Sequence, residues 1–555
     1  MVSVPNRVCR PVASALLAGS LAGAALLGMV SDPALAQAQA GEWRAVVVGI
    51  DDYRDPEGIL SDLSGAVNDA RDIAETLRTL GITDLSVLLD DQATRGAVVG
   101  AWDRALARAH PGDLLLLTYA GHGMQRVAAV DSEEADGYDE FLALHAFERR
   151  GPGRQDFILD DEIGAFVDKA GDKGVTVALV VDACHSGTTF RAVDRRVRPR
   201  YRFSNVKVEG DLMADLDESM LFEGLDVDSG GAEETIADNL FSFSAVLDDS
   251  LAPEIALPDE SGQAVPRGAL SYYFARGLRG AADADRDGVL RFDEFKDYII
   301  RNIRTATQGQ QIPSIVASDE NWHADLSPAA GAHSSPAPMP DRPIRLAVHG
   351  EVAARLPPLE GVQVVAVTET PDIVWDPATG DVISGIDTVV AEDIDADALQ
   401  GVVSKARAHL RFAALAEMAP LTIAASPPKP TYADGELVTL IMDDLTYPYL
   451  TLVNLANDGT VQFLYPLDAV EAGPRDPAEP FILEDILVGR PYGADLLVGL
   501  ATDRPLPDMV EALRGLDGTT RALDVPDRME ERLRSASYRL GLFALYTCAQ
   551  GAPQC

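Results

Sequence analysis

Basic residues are scarce in this chain. Its 46 Lys and Arg face 88 Asp and Glu, a formal net charge of −42 over 555 residues. Such a chain repels phosphate backbones, which excludes nucleic acid as a partner. The acidity serves solubility or draws basic ligands. Cysteine is scarcer still, with only Cys9, Cys184, Cys548 and Cys555. No further Cys or His lies at ligand spacing from Cys184 and His185, which argues against a metal held there. Long apolar runs are nearly missing: after residues 13–30 no second run of that length occurs. What remains is a globular composition, 47% hydrophobic and too long for one core, so two to four domains are expected.

The first forty residues form a separate object. Arg7 and Arg10 precede the uncharged stretch "ASALLAGSLAGAALLGMV", and "ALAQAQA" offers small-x-small cleavage sites near Ala36, Ala38 and Ala40. This is the pattern of a secretory signal over residues 1–40, and it predicts export to a bacterial periplasm or beyond. The apolar stretch is just long enough to span a bilayer, so membrane attachment is expected only if it stays uncleaved. Cys9 would leave with the signal. Cys548 and Cys555, in "YTCAQGAPQC", suit a small-loop disulfide in an oxidising compartment. Cys184 is then the odd thiol. It is a reactive site or one of the buried free cysteines common in cores, and both readings stay open on this argument alone.

From Trp43 onward, apolar runs alternate with helical spacing. "WRAVVVGI", "LSVLLD", "GDLLLLTYAGHG", "GVTVALVVDACHSG" and "NLFSFSAVLD" read as strands. "AVNDARDIAETLRTLG", "TRGAVVGAWDRALARAH" and "LDDEIGAFVDKAG" read as helices between them. The strand runs are continuous rather than alternating, the mark of a parallel sheet covered on both faces. The expected fold is therefore α/β over residues 41–326, interrupted by an exposed insertion at 191–238. Six Arg lie between Arg191 and Arg202, and an acidic run follows. Residues 327–343 form a Pro/Ala/Ser linker. Beyond it a small α/β region at 344–425 precedes a β-rich domain at 430–555, where "NLANDGTVQF" signals a hairpin.

Two of the predicted strands end on reactive residues. "LLLLTYAGHGM" delivers His122 between glycines, and "VVDACHSG" delivers Cys184, 62 residues later. Ligands and chemistry in doubly wound sheets sit beyond the C-terminal strand ends, so the pair suits a thiolate–imidazole dyad. The N–H groups of Gly123 and Cys184 are the expected oxyanion donors. His185 neighbours the thiol but points the other way in an extended strand, so it packs or caps.

"YAGHG" and "DACHSG" together resemble the two catalytic motifs of caspase-like cysteine peptidases of the metacaspase type (peptidase C14). The resemblance covers about residues 42–325. It implies a caspase-like three-layer α/β sandwich with a mainly parallel sheet. It implies hydrolysis of peptide bonds through a thioester at Cys184, with His122 protonating the leaving amine. It implies cleavage after Arg or Lys in protein or peptide substrates, with carboxylates in the specificity pocket. Asp182 matches the family's Asp two before the nucleophile. "LSGAVNDA" puts Asp69 in the place of the second acid. "FSAVLDDS" makes Asp248 and Asp249 further candidates. Ala120 departs from the Ser that many relatives carry.

No cofactor is required for this chemistry, but calcium has two candidate sites. "DADRDGVLRFDE" fits an EF-hand loop, with Asp283, Asp285 and Asp287, Gly288 at the turn and Glu294 in twelfth place. The resemblance also implies an activating site, for which Asp139, Asp160 and Asp161 are candidates, although Arg191 stands where the family has an acid. An Arg-specific peptidase carrying six Arg after its nucleophile is also expected to cleave itself there. The alternative is a catalytically silent caspase-fold scaffold or a calcium-responsive binding protein. The β-rich C-terminal domain offers no catalytic constellation.

Overall fold

The computed structural model describes residues 41–551 except 55–57, 128–137, 184–201, 203–236, 247–251, 260, 308–310, 329–341, 351–355, 386–387 and positions 428, 430, 444 and 469. The expected signal segment thus lies outside the described residues. Among these, no helix is long and apolar enough to cross a membrane. Residues 40–555 form one compact unit.

Strands β1 (Trp43–Gly49), β2 (Asp84–Leu89), β3 (Leu114–Ala120), β7 (Thr176–Asp182) and β8 (Leu240–Ser244) pair in parallel, and β11 (Ser314–Ala317) closes one edge antiparallel. The spatial order is β11-β8-β7-β3-β1-β2. Alternate residues of β1 face opposite cores. Ala45 and Val47 pack with Ile73 and Leu77 of α1 (Ala66–Thr79) and with α4 (Ala269–Arg276) and α5 (Phe292–Ala306). Val46 and Val48 pack with Trp102 of α2 (Arg95–Arg108) and Phe166 of α3 (Asp160–Asp172). Two covered faces explain the continuous apolar strands and make a three-layer α/β sandwich. Short antiparallel strands β4 (Gly123–Val127), β5 (Tyr138–Ala143) and β6 (Phe157–Leu159) follow the His motif, while β9 (Glu254–Pro258) and β10 (Ala264–Gly268) make a hairpin before α4.

The C-terminal half is built on a ten-stranded sheet. Strands from residues 344–391 and 449–548 belong to it together, joined where Ala391 pairs with Gly493. The break at 426–435 is therefore no boundary between sheets. The Asn-Asp-Gly turn joins Tyr449–Leu455 to Val461–Tyr465, with Gly459 at φ +88°. Helix α6 (Leu399–Met418) faces the first half. There Glu417 accepts from Arg276 at 2.8 and 2.9 Å and from the Tyr298 hydroxyl at 2.7 Å. Cys548 is buried and disulfide-bonded; Cys555 lies outside the described residues.

Candidate active site

Neighbouring strands β3 and β7 run in register, with Ala120 opposite Asp182. His122 follows Ala120 by two residues at the C-terminal edge of the sheet, and Ala183 follows Asp182 at the same edge. Cys184 itself, together with His185 and Arg191, lies outside the described residues.

His122 is fully buried, its ring 4.9 Å from that of Tyr53 and tilted by 56°. Its Nε2 lies 2.7 Å from the Ser61 carbonyl. A carbonyl can only accept, so Nε2 carries the proton and Nδ1 keeps the lone pair of the neutral ring. The backbone is equally constrained. His122 N–H donates to the Tyr53 hydroxyl at 2.7 Å, and its carbonyl accepts from Ala143 N–H at 3.0 Å and lies 2.8 Å from the Tyr119 hydroxyl. Burial pushes both phenols above their usual range, so they stay neutral donors and acceptors. Gly121 is required here, because a Cβ would come within 2.6 Å of the Tyr53 hydroxyl oxygen.

Three acids meet on one cation. Asp69 on α1, Asp182 at the end of β7 and Glu254 at the start of β9 converge on the guanidinium of Arg202. Nη2 pairs with Asp69 Oδ2 and lies 3.7 Å from Glu254 Oε1. Nη1 lies 3.0 Å from both Asp182 Oδ1 and the Asp182 carbonyl. All four side chains are buried, none more than 3% exposed. Backbone donors fix the acids. Gly268 N–H reaches Asp69 at 2.9 Å, Ser271 N–H reaches Asp182 at 2.8 Å, and Ser64 and Gly65 N–H reach Glu254 at 2.9 and 2.7 Å. Gly268 also leaves room for the cation, since a Cβ there would collide with Asp182 and Arg202.

Burial pushes the Asp69 carboxyl up to about 8, with Asp182 adding to the rise and the Arg202 guanidinium pulling against it. Glu254 is raised by burial in the same way. Burial works against the charge of Arg202, but the three carboxylates outweigh it and hold the guanidinium above its usual value.

The main chain of Arg202 is held as firmly as its side chain. Its N–H donates to Ala252 O and its carbonyl accepts from Gly123 N–H, each at 3.2 Å. A basic side chain therefore fills an acid pocket while its carbonyl rests on a donor one residue past His122. This corrects the expectation that the whole insertion at 191–238 is exposed, because Arg202 is buried in the site.

The structure thus brings together His122, Gly123, Asp69 and Asp182. Asp248 and Asp249 lie outside the described residues. Glu254 and Arg202 were missed as site residues. The signal for Glu254 was a lone acid at the head of the apolar run "IALP"; Arg202 was one of six similar arginines.

The candidate calcium loop has its carboxylates together. Metal-ligating oxygens of Asp283, Asp285 and Asp287 lie within 4.8 Å of one another. Gly288, at φ +82°, donates to Asp283 at 3.0 Å. Arg291 bridges the cluster, 2.6 Å from Asp287, 3.7 Å from Asp285 and 3.6 Å from Glu294. The residues suit a hard cation that displaces that guanidinium. Asp160 and Asp161 open α3, where Asp161 N–H donates to Asp160 at 2.9 Å. Asp139 lies on β5, opposite Arg126.

Residues 43–193, which hold His122 and Cys184, match the family model described as metacaspase, peptidase C14 domain. Residues 43–193 are thus similar to metacaspase-type peptidase domains. Metacaspase-1 of Mycosarcoma maydis is 33% identical over 156 residues, 27% of this chain and 36% of that protein. Metacaspase-1 of Saccharomyces cerevisiae (strain ATCC 204508 / S288c) is 33% identical over 157 residues, 27% of this chain and 34% of the relative. Metacaspase-3 of Trypanosoma cruzi is 32% identical over 158 residues, 27% of this chain and 41% of the relative. The chain therefore spans well under half the length of these metacaspases. A solved structure described as pro-sf-caspase-1 matches at a TM-score of 0.31 and 10% identity, over 50% of this chain and 88% of that one.

Proposed function

We propose that the chain is an exported cysteine endopeptidase that cuts protein or peptide substrates after Arg, and less well after Lys, with Cys184 as nucleophile and His122 as proton carrier. The observation that carries this reading is Arg202, seated with its guanidinium among three acids and its carbonyl on Gly123 N–H. In this reading Arg202 is the first substrate. The Cys184 thiolate bonds to the Arg202 carbonyl carbon, and the oxyanion is held by Gly123 N–H. Collapse breaks the bond to Phe203, whose nitrogen takes a proton from His122. Water then splits the thioester, leaving Arg202 as a carboxylate. Glu254 favours Arg over Lys because a second fork of donors can meet it, which a single ammonium cannot do while also reaching Asp69 and Asp182. Until it is cut or released, Arg202 blocks the pocket against other substrates.

Calcium at Asp283, Asp285, Asp287 and Glu294 is proposed as a structural ligand before α5, with no role in the chemistry. The deciding experiment follows fluorogenic peptides ending in Arg, Lys, Asp or Leu with residues 40–555 and with Cys184→Ala, each with and without calcium. Cleavage after Arg, and more slowly after Lys, that is lost in Cys184→Ala is expected, together with a new N-terminus at Phe203. Equal background from both proteins in every condition overturns the reading in favour of a silent scaffold. A calcium-independent melting temperature overturns the loop assignment alone.

A further inference from the structure

A second cluster of cations lies away from the peptidase site. Between α5 and the C-terminal half is a cavity of about 230 Å³, where one water needs only about 10–15 Å³. Arg301 and Arg304 of α5 line it, with Asp297 one turn before Arg301. Thr422 and the apolar Ile300, Ile423 and Phe543 complete the walls. Arg539, on the strand Tyr538–Cys548, adds a third positive charge near Arg301.

Arg301 is half-buried and Arg304 is exposed, and both differ from the arginines whose guanidinium is closed over by an acid. Arg44 has Asp113 at 2.5 Å, Arg95 has Glu162 at 2.8 Å, Arg276 has Glu417 at 2.8 Å and Arg342 has Asp372 at 2.6 Å. Neither Arg301 nor Arg304 offers its guanidinium to a hydrogen bond or ion pair among the described residues, and Asp297 does not close onto Arg301. Burial without a partner pushes Arg301 down to about 10, Asp297 and Glu417 opposing the fall. In a chain where acids outnumber bases almost two to one, the half-buried guanidinium of Arg301 and the exposed one of Arg304 face one cavity with no carboxylate at ion-pair distance among the described residues. Buried arginine is stable when a planar oxyanion meets its fork of donors.

We propose that Arg301 and Arg304 hold the oxyanion of a small organic anion, a carboxylate or phosphate monoester whose apolar body lies against Ile300, Ile423 and Phe543. The ligand would bridge the peptidase half and the C-terminal half, independently of the peptidase reading. Asp297 opposes the anion and sets a modest affinity.

The test is thermal melting of residues 40–555 carrying Cys184→Ala, titrated at constant ionic strength with phenyl phosphate, benzoate, inorganic phosphate and benzyl alcohol. A saturable rise in melting temperature is expected with phenyl phosphate and benzoate, a weaker one with inorganic phosphate and none with benzyl alcohol. Arg304→Gln should weaken binding about tenfold or more, about the strength of one charge-assisted hydrogen bond. Asp297→Asn should tighten it. Arg301→Gln with Arg304→Gln should abolish the shift. No saturable shift in the parent, an equal response to benzyl alcohol, or unchanged affinity in Arg304→Gln and Asp297→Asn would each overturn the proposal.

Discussion

Replacing Arg202 by Met in residues 40–555 carrying Cys184→Ala isolates its role as counter-ion from its role as cleavage site. The change removes the one cation among Asp69, Asp182 and Glu254, all 3% exposed or less. Breaking a buried ion pair by removing one partner costs about 3–5 kcal/mol, because the other charge is left without compensation. Protonation limits the loss. Burial already pushes Asp69 up to about 8 with the guanidinium present, and without it the carboxyl rises further. In the variant the folded state thus holds more protons than the unfolded chain from about pH 4 upward, since a free Asp titrates near 3.9. Stability must then fall as pH rises, by up to about 1.4 kcal/mol per pH unit for one carboxyl. The parent, with its pocket neutralised, should show a shallower fall. The assay is urea unfolding of both proteins between pH 5 and 8. Added acetyl-arginine amide should restore the variant in a saturable way by refilling the pocket. A variant as stable as its parent at pH 8, or with a loss independent of pH, would refute the account of Arg202 as buried counter-ion.

Three further outcomes follow from the same geometry. Gly268→Ala puts a Cβ into Asp182 and the guanidinium; overpacking of about 1–3 kcal/mol should lower kcat/KM for Arg peptides by about 5- to 150-fold, and an unchanged value would place the pocket elsewhere. Tyr53→Phe removes the acceptor for His122 N–H at 2.7 Å, so kcat should fall more than KM rises; a pure KM effect would contradict a positioning role for Tyr53. If Arg202 is cut and leaves the pocket as proposed, Asp69 is held higher than with that cation present, so kcat/KM for Arg peptides should still be climbing above pH 8 as Asp69 loses its proton while the substrate guanidinium stays charged, and Asp69→Asn should remove that limb of a pH profile.

The first half was legible because its chemistry is local. A parallel strand buried on both faces shows as an apolar run, and such a run ends where the chain leaves the sheet. His122 and Cys184 could therefore be placed on one edge from sequence alone. Asp182 sits inside the Cys motif, and Asp69 in the separate run "LSGAVNDA". Glu254 did not, because its role depends on a hairpin returning β9 beside α1, and nothing around it fixes that register. Ser61 and Tyr53, which orient His122, belong to the loop after β1, where periodicity says nothing. The C-terminal half was the least legible. Gly493 and Ala391 meet across about a hundred residues of chain, and the Pro-rich stretch between 426 and 435 looked like a boundary because turn chemistry is visible locally while sheet partnership is not.

The pocket also bears on how a buried cluster of three acids can fold at all. Three carboxylates cannot be buried together as anions, since each loses its hydration and repels the others. Two routes remain open, protonation or a cation. Protonation at Asp69 leaves a neutral group that no longer attracts a basic substrate, so it serves folding but not specificity. A cation serves both. Arg202 supplies it from the segment 20 residues beyond Asp182, and a side chain covalently tied to the fold does not diffuse away before the sheet is complete. Its carbonyl then lies at the sheet edge that carries His122, because the same residue that seats the guanidinium donates its N–H to Ala252 and accepts from Gly123. The counter-ion that lets the acids be buried is on this argument positioned as the first bond to be cut. Under the proposed self-cleavage, a foldable pocket and a cut site would depend on one residue. A Lys at 202 is expected to retain cleavage yet leave Glu254 unpaired, separating the two demands by lower stability at unchanged cut position, read by urea unfolding and N-terminal sequencing.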